Sequence, residues 1–291
     1  MTTIEPTIQK VGLKRNTTDK FYTCQSAVEL CLNLVQEHVT IAADEDLIIE
    51  PSAGNGAFIS HIHELSNTIL FYDIEPDNEA IIKQDFLELD TSHFTDFPKV
   101  HCIGNPPFGR QSSLAIQFIK KACEFCDTVS FILPKSFKKP SLKKSFPLNF
   151  HLVAEIDLPE KSFLVNDREY NVDTVFQIWI KQDSLRETPK DIEPCGFVFT
   201  KMDKQEPDPS NSHSYSHSPD ISFRRVGVYA GKIDTDVNKS VQSHYFIKFT
   251  NGKSLGENLE QLKQVTFVHN NTVGPKSISK QELIAEFNKY L

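Results

Sequence analysis

The chain lacks any uninterrupted apolar run approaching the roughly 18 to 20 residues that span a bilayer, and its first thirty residues hold no apolar stretch of the signal-peptide kind. Both absences lead to the expectation of an intracellular protein, cytoplasmic or nuclear, with no membrane partner. Its six cysteines (Cys24, Cys31, Cys102, Cys123, Cys126 and Cys195) are scattered rather than set in a framework, which suits reduced thiols better than disulfides. Positive charge is not in excess either: 31 basic residues stand against 39 acidic ones, net −8. Any nucleic-acid partner must then be held by a local basic surface. Residues 220–291 are the more basic part, with ten bases against seven acids. What is present, 39% hydrophobic and 24% charged residues, excludes collagen-like, coiled-coil and wholly disordered chains. With 291 residues the expected division is a catalytic domain over 1–183 and a small C-terminal α+β module over 184–291.

The pattern along the chain alternates. Ala27, Leu30, Cys31, Leu34 and Val35 recur at helix spacing. A strand at 46–50 ends in the Gly-rich turn PSAGNG, and 57–65 continues as a helix. Next come a strand at 68–75, a polar helix around 77–83 and a short strand at 81–84. A strand over 99–104 ends in NPPFG. A helix at 114–125, an apolar strand at 128–134, a Lys-rich loop, and strands at 151–159 and 173–180 complete the first part. Strands alternating with helices predict a doubly wound, largely parallel α/β sheet, with ligands at the carboxyl ends of its strands. Residues 182–194 read as a linker. A mobile loop is expected at about 203–220; its His213 and His217 lack a partner set, so no metal site is expected. Strands follow at 196–202, 222–230 and 243–250, with another at 264–270, before a terminal helix introduced by Ser279 with Glu282 at the capping-box offset.

Four strand ends carry candidate chemistry. Between a strand and a helix, Glu50, Ser52, Gly54 and Gly56 lie in a turn whose glycines let backbone approach a ligand at a helix N-terminus. After the next strand, Asp73 is placed to accept from ribose hydroxyls, followed by Ile74. Asp85 is suited to accept from an amino group, with Phe86 packing a base. The fourth is Asn105-Pro106-Pro107-Phe108-Gly109. Its prolines fix the backbone, leaving the Asn105 side-chain oxygen and the Pro106 carbonyl as two acceptors that converge on one spot. Paired acceptors call for an NH2 group, and Phe108 offers a face on which a planar base can stack.

In this order EPSAGNGAF, YDIE, QDF and NPPF resemble motifs I to IV of the class I S-adenosylmethionine-dependent amino-methyltransferases. Lys20-Phe21-Tyr22-Thr23 resembles their F-Y-T motif in the gamma-order, N6-adenine group, whose target-recognition region is C-terminal. The resemblance covers about residues 15 to 181 and implies the Rossmann-like class I methyltransferase sheet, with S-adenosyl-L-methionine as cofactor. It implies that Tyr22, Thr23 and the Gly54 backbone hold the methionine end, Asp73 the ribose, and Ile74 and Asp85 the adenine. Asn105, Pro106 and Phe108 then hold the target amine and base. The family's usual Pro after F-Y-T is Cys24 here, which reads as packing because methyl transfer to an amine needs no thiol nucleophile.

The expected substrate is adenine N6 in DNA. RNA adenine N6 or guanine N2, protein glutamine, and a silent nucleic-acid-binding scaffold are the alternatives. Lys135, Lys138, Lys139, Lys143 and Lys144 fall within ten residues after the fifth strand, a candidate phosphate grip, and Arg224 and Arg225 are candidates in the C-terminal module. Oligomeric state is not legible.

Overall fold

Strands covered on both faces are apolar at nearly every position, and in the computed structural model of the chain every residue of the strands at 47–50, 100–104 and 128–134 is buried. The structure describes residues 21–188, 190–200, 218–267 and 276–291. Lys20, His213, His217 and most of the 203–220 segment lie outside the described residues, as does the end of the expected strand at 264–270, whose described part, 264–267, is not a strand. The chain divides into two compact units, Met1–Phe137 with Ser141–Arg186, and Lys138–Pro140 with Glu187–Leu291.

In chain order the strand β1 (Tyr22–Thr23) is followed by α1 (Gln25–His38), β2 (Leu47–Glu50), the one-turn helix α2 (Ile59–Ile62), β3 (Thr68–Asp73), β4 (Ile82–Lys83) and β5 (Val100–Gly104). Then come α3 (Ser113–Phe125), β6 (Thr128–Pro134), α4 (Pro140–Lys143), β7 (Phe150–Asp157), β8 (Phe163–Val165), β9 (Arg168–Tyr170) and β10 (Thr174–Lys181). Seven strands form one sheet, ordered β4-β3-β2-β5-β6-β10-β7. The pairs from β4 to β6 are parallel, and β10 runs antiparallel to both β6 and β7. This is a Rossmann-like α/β sheet with one antiparallel strand, β10. Leu47, Cys102 and Phe131 pack with α3 on one face, and Ile48, Ile103 and Ile132 pack with α1 on the other. The strand order reverses at β2 and β5, so a crevice opens at their carboxyl ends, beyond Glu50 and Gly104.

The expected helix at 77–83 is absent. The Asn78 side-chain oxygen accepts from the Ala80 N–H at 2.9 Å, diverting the backbone into a turn. The helix expected over 57–65 is only Ile59–Ile62, because two left-handed glycines consume the residues before it. The sequence reading missed the hairpin β8-β9, whose turn residues Asn166 and Asp167 have φ of 50° and 59°. This hairpin pairs with β1.

Arg186 ends the first unit. Its guanidinium donates to the carbonyls of Phe150 (3.0 Å), Lys143 (3.0 Å) and Phe146 (2.7 Å) and lies over Trp179. Farther along the expected linker, the Ile192 and Cys195 N–H groups bond to Gln281 and Asn288. The second unit holds β11 (Phe197–Phe199), β12 (Ile221–Arg224), β13 (Ile233–Asp234) and β14 (His244–Phe249), with α5 (Leu255–Leu262) and α6 (Lys280–Phe287). Its antiparallel sheet runs β11-β14-β12-β13 over a core of Phe197, Phe223, Ile247 and Phe287. Ser279 and Glu282 form the expected capping box on α6, and Ser254 and Glu257 form another on α5.

One buried polar cluster ties the first unit's sheet to its pH response. His101 bonds Thr128 Oγ1 (2.8 Å) and Asp46 Oδ2 (3.2 Å), and is itself fully buried. Burial outweighs the attraction of Asp46 and holds its imidazole below the usual histidine range. The unfolded chain therefore takes up the proton first, so stability is complete above about pH 6.5 and declines as pH falls below it. Urea midpoints measured between pH 7.5 and 5.5 should fall, with a shallower fall in His101→Gln.

Candidate active site

A cleft of about 390 Å³ opens at the carboxyl ends of β2, β3 and β5, within the 300–1,000 Å³ range of small-molecule sites. Its walls bring together the four strand-end motifs and β1: Tyr22, Thr23, Glu50, Ser52, Gly54, Asp73, Ile74, Asp85, Phe86 and Asn105 to Phe108 all line it. Gly56 does not line the cleft and acts on the turn instead.

The glycines have separate reasons. Gly54 has φ +56°, and a Cβ there would sit 3.1 Å from the Tyr22 ring. Gly56 has φ +87°, and a Cβ would meet Ile59 Cδ1 at 2.6 Å. Asp73 fixes this turn from the neighbouring strand: its two carboxylate oxygens accept from the N–H of Gly54 and of Glu75, each at 2.8 Å. Tyr22 donates its hydroxyl to Asp77. Burial, followed by that bond, pushes the phenol up to about 12.

Asp85 and Phe86 combine two duties. The Asp85 Oδ1 caps the short 3-10 helix Phe86–Glu88 by accepting from the Leu87 N–H at 2.9 Å, and its other oxygen makes no hydrogen bond among the described residues. Phe86 touches the cleft but is 1% exposed and stacked on Phe118, so it belongs equally to the core. Ile74, by contrast, is 60% exposed, an apolar side chain at the cleft without cover.

Asn105 is the most constrained polar group. Its Nδ2 donates to the Phe21 carbonyl (3.2 Å) and to Thr23 Oγ1 (3.3 Å). The carbonyl can only accept, which assigns the amide's orientation. Among the described residues its Oδ1 is buried and has no hydrogen-bond partner, and Glu50 Oε2 is in the same condition. Such orphans are rare and call for an explanation. Burial, with the nearby charge of Asp73 second, pushes the Glu50 carboxyl well above the usual range, toward its neutral form. Ser52 Oγ donates to the Asn105 carbonyl at 3.0 Å, tying the two motifs together.

The cleft also contains residues that the motifs did not single out. Leu114 and Phe118 line it; they sit four apart on the apolar stripe of α3, which reads from sequence as core alone. Cys24 precedes α1 in extended backbone, its N–H bonded to the Ser162 carbonyl.

The lysines after β6 are engaged. Lys135 pairs with Asp157 (3.5 Å), Lys143 with Glu155 (3.0 Å), and Lys139 with Glu282 (3.3 Å) and the Ser277 carbonyl (2.8 Å). Lys138 is half-buried and Lys144 exposed. Arg225 donates to the Gln242 carbonyl and lies over Tyr245, whereas Arg224 is anchored through Nε to the Val226 carbonyl. Among the described residues, no cluster of three or more His, Cys, Asp or Glu could hold a metal ion, and no helix is long and apolar enough to cross a membrane.

Gly56→Ala should destabilise the first unit by more than about 1 kcal/mol, because strain at positive φ is joined by the Ile59 clash. Gly252 also has positive φ (+76°) but no atom within 4 Å of a Cβ, so Gly252→Ala isolates the conformational part. Urea unfolding of the two variants should give the larger loss for Gly56.

A scan against protein-family models and a search of curated proteins find no match. Among solved structures the chain is similar to a candidate RNA methyltransferase of Pyrococcus horikoshii (16% identity, 60% of this chain and 93% of that chain covered, TM-score 0.44). It is similar to a candidate class I S-adenosylmethionine-dependent methyltransferase of Listeria monocytogenes (15%, 59% and 64%, TM-score 0.40). A third is the N-methyltransferase NodS of Bradyrhizobium japonicum (10%, 55% and 96%, TM-score 0.38).

Proposed function

We propose that the chain methylates an exocyclic amine of a nucleic-acid base, with S-adenosyl-L-methionine as methyl donor and adenine N6 in DNA as the preferred target. The observation that carries this reading is Asn105 Oδ1, a buried acceptor left unpartnered while its own amide nitrogen is held by β1. An acceptor so placed asks for a donor from outside, and the adjacent Pro106 carbonyl supplies the second acceptor that an NH2 group needs.

The residues fit the cofactor on several counts. Gly54 leaves room beside Tyr22 that a Cβ would fill. Ile74 presents uncovered apolar surface to an adenine ring, and Asp85 has one oxygen free to accept from that ring's amine. Asp73 keeps lone pairs for ribose hydroxyls beyond those used by the Gly54 and Glu75 N–H groups. Glu50 Oε2 is a second orphan that a bound polar group would satisfy. When bound, S-adenosylmethionine supplies an electrophilic methyl group on a sulfonium.

The chain's own work is then orientation and electrostatics. Asn105 Oδ1 and the Pro106 carbonyl each accept one N–H of the target amine, and Phe108 stacks the base. Two acceptors drawing the amine toward tetrahedral geometry localise the nitrogen lone pair that is otherwise shared with the ring. The nitrogen becomes positive as the new N–C bond forms and the methyl group's bond to the sulfonium sulfur breaks, leaving a neutral thioether, so the same two contacts strengthen in the transition state before the extra proton passes to water. A duplex substrate requires the base to leave its stack; a single strand offers it directly.

Asn105→Ala should lower methyl transfer on the order of 100-fold or more, as for a lost transition-state hydrogen bond, with cofactor affinity retained. Transfer of radiolabelled methyl to DNA, RNA and protein pools reads this out and identifies the substrate class; near-normal transfer by the variant removes Asn105 from the chemistry. Asp73→Ala should instead weaken cofactor binding by about 1 to 3 kcal/mol in titration calorimetry.

A further inference from the structure

The second unit carries a basic hollow that the cleft chemistry does not use. It measures about 200 Å³ and is lined by Arg224, Tyr229, Lys232, Asp234, Lys239 and His244. That is below the 300 Å³ at which small-molecule pockets begin, so it admits a compact group such as a phosphate rather than a whole nucleotide. The segment joining β12 to β13 forms one wall. Gly227 and Gly231, with φ of +96° and +101°, turn it tightly, and the Gly231 N–H closes it onto the Arg224 carbonyl at 2.8 Å. At its tip Val228 is 90% and Tyr229 71% exposed, large apolar surfaces that β-turn formation does not require.

The cations are arranged for an anion. Arg224 Nε donates to the Val226 carbonyl at 3.0 Å. That anchor fixes the guanidinium plane, and its two terminal NH2 groups make no hydrogen bond among the described residues, leaving the half of the fork that grips phosphate bidentately. Lys232 is 66% exposed and only 3.8 Å from Asp234. Lys239 lies 3.8 Å from the same carboxylate and 2.5 Å from Asp236. Asp234 is thus bracketed by two lysines and does not present a bare negative charge. His244 turns its Nδ1 to the Ser240 carbonyl at 3.2 Å.

Resting on the reading of nucleic acid as substrate class, we propose that this hollow holds a backbone phosphate of a single-stranded segment while a neighbouring base stacks on Tyr229. Cations beside an exposed aromatic are the combination by which proteins hold single strands without reading sequence. An anionic membrane surface would use the lysines but not an anchored arginine fork, which is why the nucleic-acid occupant is preferred.

The test is fluorescence anisotropy of the full chain with labelled eight-residue oligothymidylate. This probe has no exocyclic amine, the group that the cleft reading requires. Tyr229→Ala, at an exposed position that the fold does not need, should weaken binding about 5-fold or more. Arg224→Lys keeps the charge and loses the fork, and should weaken it similarly. Lys232→Gln should lower the slope of log affinity against log salt by about 0.7. Unchanged affinity in both Tyr229→Ala and Arg224→Lys overturns the proposal, as does binding to anionic phospholipid vesicles with none to the oligonucleotide. Loss of methyl transfer in Asn105→Ala with these affinities intact, or the reverse, separates this site from the cleft reading.

Discussion

The Asn105 amide is held at one end only. Nδ2 bonds the Phe21 carbonyl and Thr23 Oγ1, and Oδ1 is buried without a partner. Both contacts come from β1 or the residue before it, a strand too short to persist alone, which is kept extended by pairing Thr23 with Phe163 and Tyr22 with Leu164 of the β8-β9 hairpin. Strand side chains alternate, so this register sends Thr23 inward to Asn105 and Tyr22 toward Gly54 and Asp77. A slip of one residue would exchange the two. A hairpin about sixty residues downstream of Asn105 thereby aims the acceptor.

A second restraint works on the opposite wall. The turn after β2 is tied to β3 by Ala53 N–H to the Tyr72 carbonyl (2.8 Å), Gly54 N–H to Asp73, and Asp77 N–H to the Gly54 carbonyl (3.0 Å). The Gln84 N–H bonds the Asp73 carbonyl, drawing in the Asp85 segment. Every donor here is a backbone N–H and every acceptor but the Asp73 carboxylate is a backbone carbonyl, so the wall's shape depends on glycine geometry and on that one carboxylate. Asp73 and Glu50 contrast: Asp73 has two backbone donors, whereas Glu50 has an oxygen with none and is driven toward neutrality by burial.

What the sequence made legible was contiguous. Strand, turn and acid lie side by side in EPSAGNG, YDIE and NPPF, and the sheet that carries them follows from uninterrupted apolar runs. What it hid was made by pairing across distance. Nothing near Asn105 announces Thr23 as its partner, and the Asn-Asp turn of β8-β9 sits in a run of mixed residues without clean alternation. Phe86 could not be divided between ligand and core without its neighbour Phe118. The helix expected at 77–83 failed for a local reason, since Asn78 offers the backbone a side-chain acceptor where no apolar periodicity opposes it.

The lysine cluster shows why charge counting along a chain misleads. Five cations in ten residues suggest an open grip, but Lys135, Lys139 and Lys143 each meet a carboxylate from a different segment. Exposed pairs contribute little, typically 0 to 1 kcal/mol, but the Lys139 and Lys143 side chains are only 12% and 25% exposed, so a phosphate that took the carboxylate's place would forfeit more than a surface pair supplies. The exchange differs from ordinary phosphate binding in one respect. A free lysine on a phosphate releases counterions from the nucleic acid and steepens the salt dependence, while one that leaves a carboxylate exposes that anion to the same salt and recovers part of the slope. A nucleic acid held through such a paired cluster would therefore show a shallower salt response than a count of its cations suggests, so the number of lysines along the chain is no measure of the slope.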